Sequence, residues 1–148
     1  MRRSLARVAV VAVVALSASS TGCIGTKHTW RAQTVTSPEA RVSPQEVYRR
    51  KDRLFVRVTY TNLSTETVTV DRDALQLQLA NGRLLGRSTG MTSTHPIYSI
   101  PPNGAHSIYV DFRDEVLEEE HSAALVWKSA VFAGSRELAI PYTPVTAR

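Results

Sequence analysis

The chain has 148 residues, which is enough for one domain and leaves little room for a second. Its hydrophobic content of 43% and charged content of 21% exclude a chain that is disordered throughout. The formal net charge of +5 does not predict nucleic-acid binding, because Arg2, Arg3 and Arg7 precede an apolar segment that we expect to be removed.

The first 22 residues have the three parts of a secretory signal peptide. Arg2, Arg3 and Arg7 are followed by nine apolar residues at positions 8–16 and by small polar residues at 17–22. At helical rise the apolar part covers about 14 Å, whereas the hydrocarbon core of a bilayer is roughly 30 Å thick. The pattern therefore predicts a signal peptide over residues 1–22 rather than a membrane-spanning helix.

The signal ends at the single cysteine of the chain. Ser20, Thr21, Gly22 and Cys23 resemble the lipobox of bacterial lipoproteins, although Ser20 stands where that motif usually has an aliphatic residue. The resemblance implies attachment of diacylglycerol to the Cys23 thiol and cleavage before Cys23. Ordinary signal cleavage after residue 19 or 20 is the alternative, and it would leave Cys23 as a free thiol.

Lipidation is the favoured reading, because an exported chain with one cysteine has no partner for an intramolecular disulfide. Two or three acyl chains anchor a protein stably, at about 0.8 kcal/mol per buried methylene. We therefore expect a protein held on the non-cytoplasmic side of the cell envelope, with the covalent lipid as its only added group. In a cell with two membranes, Ile24 after the cysteine favours the periplasmic face of the outer membrane.

The segment that follows Cys23 is polar. We expect residues 23–44 to be a lipidated terminus and tether with a possible first strand over 29–36, where Trp30 contacts the core. The basic group Arg49, Arg50, Lys51 and Arg53 lies among acids beside a strand pattern. We interpret it as a solvated strand edge or turn rather than a phosphate-binding patch.

Residues 45–143 have the pattern of a β-domain, and residues 144–148 are expected to be a tail. Leu54, Val56, Val58 and Tyr60 alternate with more polar residues, as in a half-buried strand. Asn81-Gly82 predicts a hairpin turn, and the Pro-Pro-Asn-Gly sequence at 101–104 predicts a break. Residues 114–121 have helical character for a turn or two, and residues 124–131 and 136–140 are the last expected strands.

About seven short strands separated by turn signals predict an antiparallel sandwich of two sheets. Residues 53–112 resemble the immunoglobulin-like domain of small bacterial lipoproteins of unknown function. The residues that carry this resemblance are Asn62, Val68, Leu77, Gly82, Pro102, Gly104 and Phe112. The resemblance implies a fold and a location, and it implies no activity.

Catalytic motifs are absent from the sequence. It has no Gly-x-Ser-x-Gly elbow, no GxGxxG and no phosphate-binding loop, so we expect no enzyme. Candidate metal ligands are His28, His121 and, in or near one expected loop, Met91, His95 and His106. The Glu118-Glu119-Glu120-His121 run is interpreted as a solvated turn. Tyr98, Tyr109 and Tyr142 could cap the core or form a binding strip.

The sequence thus favours a membrane-tethered, non-enzymatic domain that binds another envelope protein or assists an assembly. The alternative is a periplasmic carrier of copper or a small ligand that uses Met91, His95 and His106. The two hypotheses differ in whether the protein binds a metal ion stoichiometrically.

Overall fold

A computed structural model describes residues 25–88 and 95–148. Ser20, Thr21, Gly22, Cys23 and Met91 lie outside these residues. The described residues form thirteen strands, all paired antiparallel, and two short 3-10 helices at Arg72–Ala74 and Glu115–Glu118. No helix among them is long and apolar enough to cross a membrane.

The strands are numbered in chain order and belong to two sheets. They are β1 (Lys27–Ala32), β2 (Val35–Thr36), β3 (Ala40–Arg50), β4 (Arg53–Asn62), β5 (Val68–Asp71), β6 (Gln76–Leu79), β7 (Leu84–Gly86), β8 (Ile97–Ile100), β9 (Ala105–Arg113), β10 (Ser122–Val126), β11 (Val131–Ala133), β12 (Arg136–Glu137) and β13 (Thr143–Ala147). The number of strands exceeds the expected seven, because several of the short strands have no alternation of apolar and polar residues by which the sequence could indicate them.

The larger sheet is curled and has the order β7-β6-β10-β13-β1-β3-β4-β9, with β2 beside β3. The sheet changes direction at β1. The first half of this strand, up to Thr29, pairs with β3, and the second half, from Trp30, pairs with β13. The two ends of this sheet approach each other where the Ser88 amide donates to the Asp111 carbonyl at 2.8 Å. The smaller sheet has the order β12-β11-β5-β8.

The alternation in β4 is confirmed, because Leu54, Val56, Val58 and Tyr60 are fully buried. Trp127 is buried beside Tyr60, with ring centroids 5.7 Å apart, and its indole Nε1–H donates to the Thr143 hydroxyl at 3.0 Å. The expected strand over residues 124–131 is wrong. Two strands flank a turn there, in which Ser129 has a φ of 59°.

The polar ends of the domain contribute strands to the large sheet, so the expected boundaries at residues 45 and 143 are too narrow. Trp30 in β1 and Val42 in β3 are buried, which confirms the core contact of Trp30 within the expected tether. The expected tail belongs to β13, which lies between β10 and β1 and buries Val145. Alternate burial hides β13 and the first half of β3 in the sequence, because their outward residues are polar.

The predicted turns are confirmed where the structure describes them. Asn81 and Gly82 connect β6 to β7, and Gly82 has a φ of +87°. At the 101–104 corner, a Cβ on Gly104 would lie 2.9 Å from the Pro101 carbonyl oxygen, so a side chain does not fit there. The helical character of 114–121 is the 3-10 helix Glu115–Glu118, whose first turn is capped by Asp114. The expected strand over 136–140 is limited to Arg136–Glu137.

Asn62, at the end of β4, connects the corner at residues 101–104 to neighbouring segments by hydrogen bonds. Its side chain is completely buried, and its amide donates to the carbonyl oxygens of Glu66 at 2.7 Å and Ile100 at 3.0 Å. Its Oδ1 accepts hydrogen bonds from the backbone N–H and the hydroxyl of Ser64. All hydrogen-bonding groups of this amide are therefore satisfied, as a buried polar side chain requires.

Candidate functional site

The main concentration of aromatic and charged side chains is the outward surface of β1, β3, β4 and β9. In β4, the residues that alternate with the buried positions point away from the core. Strand register then places Tyr48 opposite Phe55, and Tyr109 opposite Arg57. We call this surface the aromatic–cationic face; it consists of Tyr48, Phe55, Tyr109, Lys27, Arg31, Arg50, Arg53, Arg57 and Arg113.

The three aromatic rings form a continuous row across neighbouring strands. Tyr48 and Phe55 are stacked, with centroids 4.6 Å apart and an interplanar angle of 17°. Phe55 and Tyr109 follow at 6.2 Å. Burial raises the pKa of the Tyr109 hydroxyl to about 12, and the nearby Tyr48 and Asp111 act in the same direction. The Tyr109 hydroxyl therefore remains uncharged at any physiological pH.

Cations lie over these rings. The ammonium of Lys27 is 4.3 Å from the Tyr48 centroid, and the guanidinium carbon of Arg50 is 5.9 Å from the same ring. Arg53 and Arg57 lie 5.8 Å from the rings of Phe55 and Tyr109, respectively. These distances fall within the range of cation–π attraction, which holds the long side chains against the sheet.

Acids compensate only part of this positive charge. Lys27 pairs with Glu46 at 2.7 Å, and Arg113 pairs with Asp52 at 2.8 Å. The pKa of each of these carboxyls is lowered, chiefly by the hydrogen bond from its basic partner. Arg53 lies 3.3 Å from the buried carboxylate of Asp111. Three acids therefore face the six cations of the aromatic–cationic face, which keeps a net positive charge.

A shallow cavity of about 270 Å³ lies at the end of this face, beside the turn that joins β3 to β4. Its lining residues are Gly25, Arg50, Lys51, Asp52, Arg53, Phe55 and Arg113. The Nε of Arg50 is buried and has no hydrogen-bond partner among the residues that the structure describes. The cavity thus has a mainly cationic lining, with four basic residues and one acidic residue.

An acidic segment follows β9 at the same end of the domain, where the Asp114 amide donates to the Asp52 carbonyl. Asp114 follows Arg113 and forms an ion pair with Arg83, while Glu115, Glu118 and Glu119 are exposed. His121 is also exposed, in agreement with a solvated turn. The end of the domain near Gly25 therefore has a basic side and an acidic side.

The structure does not bring the candidate metal ligands into a complete site. His95 is exposed just before β8, and His106 is exposed with its ring 4.3 Å from that of Tyr98. Met91 lies outside the described residues. Within 25–88 and 95–148, no group of three or more His, Cys, Asp or Glu side chains is arranged to hold a metal ion.

Tyr98, Tyr109 and Tyr142, for which the sequence left open a core cap or a binding strip, do not form a strip in the structure. Tyr98 packs against His106, Tyr109 belongs to the aromatic–cationic face, and Tyr142 is exposed in the segment before β13. The observed row uses Tyr48 and Phe55 instead. Its signal in the sequence was the alternation around Phe55, and only the strand register shows which aromatic residues lie next to it.

Comparison with known proteins supports the fold class. No protein-family model and no curated protein sequence matches this chain. Among solved structures, the yjhA protein from Bacillus subtilis is similar with a TM-score of 0.50 at 15% sequence identity. The match covers 64% of this chain and 76% of the other. The chain is therefore an all-β protein of antiparallel sheets, with a curled sheet and a smaller one.

Proposed function

We propose that this chain is a lipid-anchored protein of the cell envelope whose β-domain binds other molecules and does not catalyse a reaction. The observation that carries the proposal is the aromatic–cationic face. Stacked aromatic rings and arginines are the side chains enriched at binding surfaces. The face has no nucleophile paired with a base, because its acids are paired with lysine or arginine.

The position of the domain relative to Cys23 supports the anchor. The first strand begins at Lys27, and Gly25 already lies against the side chain of Lys51. A lipid on Cys23 would thus hold the domain directly at a membrane surface, with almost no tether. For a cell with two membranes we assign the protein to the periplasmic face of the outer membrane, on the basis of Ile24.

The finer fold that we propose is an immunoglobulin-like sandwich. Two antiparallel sheets and a buried tryptophan, Trp127, fit this architecture. We propose another envelope protein as the partner.

Two experiments test this function. Cells that express the wild-type protein and the Cys23→Ala variant are grown with labelled palmitate, and only the wild-type protein is expected to take up label. Label that persists in Cys23→Ala, or that is missing from both proteins, contradicts the anchor. Affinity capture from detergent-solubilised envelopes is then expected to recover a partner with the wild-type protein and to lose it with Cys23→Ala.

Calorimetric titration with Cu²⁺ and Zn²⁺ separates this function from that of a metal carrier. We expect no stoichiometric binding at micromolar concentrations. Tight binding that His106→Ala abolishes would favour the carrier instead. His121→Ala is the matched control, since His121 is also exposed and lies in a different turn.

A further inference from the structure

We propose that the aromatic–cationic face binds the anionic head groups of the membrane to which the chain is anchored. The domain would then contact the membrane with this part of its large sheet, and its smaller sheet would face away from the membrane. This inference rests on the lipid anchor of the proposed function and adds a ligand and an orientation to it.

The proposed anchor at Cys23 is only a short stretch of chain away from the cationic cavity. Gly25 is two positions after Cys23 in the sequence, and an extended chain spans at most about 7 Å over that distance. Gly25 lies so close to Lys51 that a Cβ on Gly25 would overlap the Cγ of that side chain. Since the Debye length is about 10 Å at 0.1 M salt, the cations at this end lie within electrostatic range of the head groups.

The side chains of the face are of the types that bind anionic lipid head groups. Basic side chains held next to an anchor attract anionic lipids, and guanidinium groups form paired hydrogen bonds with phosphate oxygens. The cavity beside the β3–β4 turn brings Arg50, Lys51, Arg53 and Arg113 together. Aromatic residues with a polar edge, such as Tyr48, favour the interface between lipid and water.

The acidic side of the same end indicates how the domain is oriented on the membrane. Glu115, Glu118 and Glu119 would be repelled by an anionic surface, so the domain is expected to tilt until the aromatic–cationic face is closest to the lipid. An acidic protein segment could also bind these cations. The structure favours lipid, because Gly25, two positions after the proposed anchor in the sequence, lies at the edge of this face.

The three lysines of the chain provide a direct test. Lys51 is exposed beside the proposed contact, and Lys27 belongs to the face. Lys128 is exposed after β10, which runs away from the anchor toward Thr143. The lipidated protein is reconstituted into vesicles of phosphatidylcholine alone or with phosphatidylglycerol, and acetylation of each lysine is followed by mass spectrometry.

We expect acetylation of Lys51, relative to Lys128, to slow about fivefold when phosphatidylglycerol is present. The protection should disappear in 1 M salt, where the Debye length falls to about 3 Å. It should also be lost in the double variant Arg50→Gln/Arg57→Gln. The control Arg41→Gln/Arg136→Gln removes the same charge from exposed residues at the other end of the domain and should keep the protection.

Each other outcome overturns the inference. Equal acetylation of Lys51 in both kinds of vesicle excludes binding of anionic lipid. Protection that requires added envelope proteins assigns the face to a protein partner. In both cases, a lipidated Cys23 leaves the anchor of the proposed function intact, whereas a protein that carries no lipid contradicts the anchor as well.

Discussion

Gly25 packs against the aliphatic part of Lys51, so the start of the described chain contacts the turn between β3 and β4. The same turn forms one wall of the cationic cavity at the end of the aromatic–cationic face. The point at which the domain would be anchored and the point at which its positive charge is concentrated therefore coincide.

Lengthening the chain between Ile24 and Gly25 should weaken the proposed lipid contact without affecting the domain. A flexible insertion of about twenty Gly and Ser residues has a mean span of roughly 25 Å, more than twice the Debye length at 0.1 M salt. We expect the protection of Lys51 from acetylation in anionic vesicles to decrease severalfold. The same insertion after Arg148 is the control, and equal protection in both proteins would contradict a dependence on the short tether.

Asn62→Ala should destabilise the domain by about 2–4 kcal/mol, because it leaves the buried carbonyl oxygens of Glu66 and Ile100 without their donor. Urea denaturation followed by circular dichroism measures this loss. Asn81→Ala, in the exposed β6–β7 turn, is the matched control and should cost less than about 1 kcal/mol. Similar losses in both variants would contradict the role assigned to Asn62.

Asn62→Asp should make the stability depend on pH. Its second oxygen would face the Glu66 and Ile100 carbonyls, so the protonated carboxyl would be favoured and its pKa raised in the folded state. Stability is then greatest below the unfolded pKa of about 4 and decreases as the pH rises through the folded pKa. A difference between Asn62→Asp and the wild-type protein that stays constant from pH 4 to 8 would contradict this arrangement.

Thr143→Val should cost about 1–3 kcal/mol, because the fully buried indole N–H of Trp127 loses the hydroxyl that accepts its hydrogen bond. Valine has nearly the same shape as threonine, so the packing is preserved. Thr146→Val, at an exposed position of the same strand, should change the stability by no more than about 0.5 kcal/mol. The comparison is made by thermal unfolding, and an unchanged midpoint for Thr143→Val would exclude a structural role for this bond.

High pH should unfold the protein through its tyrosines. Burial raises the pKa of Tyr60 to about 12, and the pKa of Tyr109 is also about 12. Because the unfolded chain loses these protons near pH 10, stability should be unaffected below that pH and should fall between pH 10 and 12. Absorbance at 295 nm reports the phenolates. Titration of all five tyrosines near pH 10 in the folded protein would contradict the burial.

Tyr60→Phe should leave the stability at neutral pH unchanged or raise it by up to about 1 kcal/mol. The hydroxyl of Tyr60 is buried and has no hydrogen-bond partner among the described residues, so its removal costs no bond. Urea denaturation provides the measurement. A loss of more than about 1 kcal/mol would show that the hydroxyl has a partner, for example an ordered water molecule.

The sequence by itself determined the β-class of the fold, the buried positions of β4 and the turn at Gly82. These features depend on local chemistry: alternation of side chains decides which face of a strand is buried, and glycine tolerates a positive φ. The polar pattern of residues 33–44 and 143–147 hid part of β3 and β13, whereas Trp30 indicated the first strand. A strand in which only every second residue is buried and the others are polar gives only a weak signal of its presence in the sequence.

Only the tertiary structure decided which side chains meet. Tyr48, Phe55 and Tyr109 become neighbours through the pairing of β4 with β3 and β9, and Gly25 reaches Lys51 because β1 pairs with the end of β3. Such contacts depend on strand register between distant segments, and a shift of one residue would send these rings to the opposite side of the sheet. The sequence therefore indicated an exported β-domain, and its long-range pairing created the aromatic–cationic face.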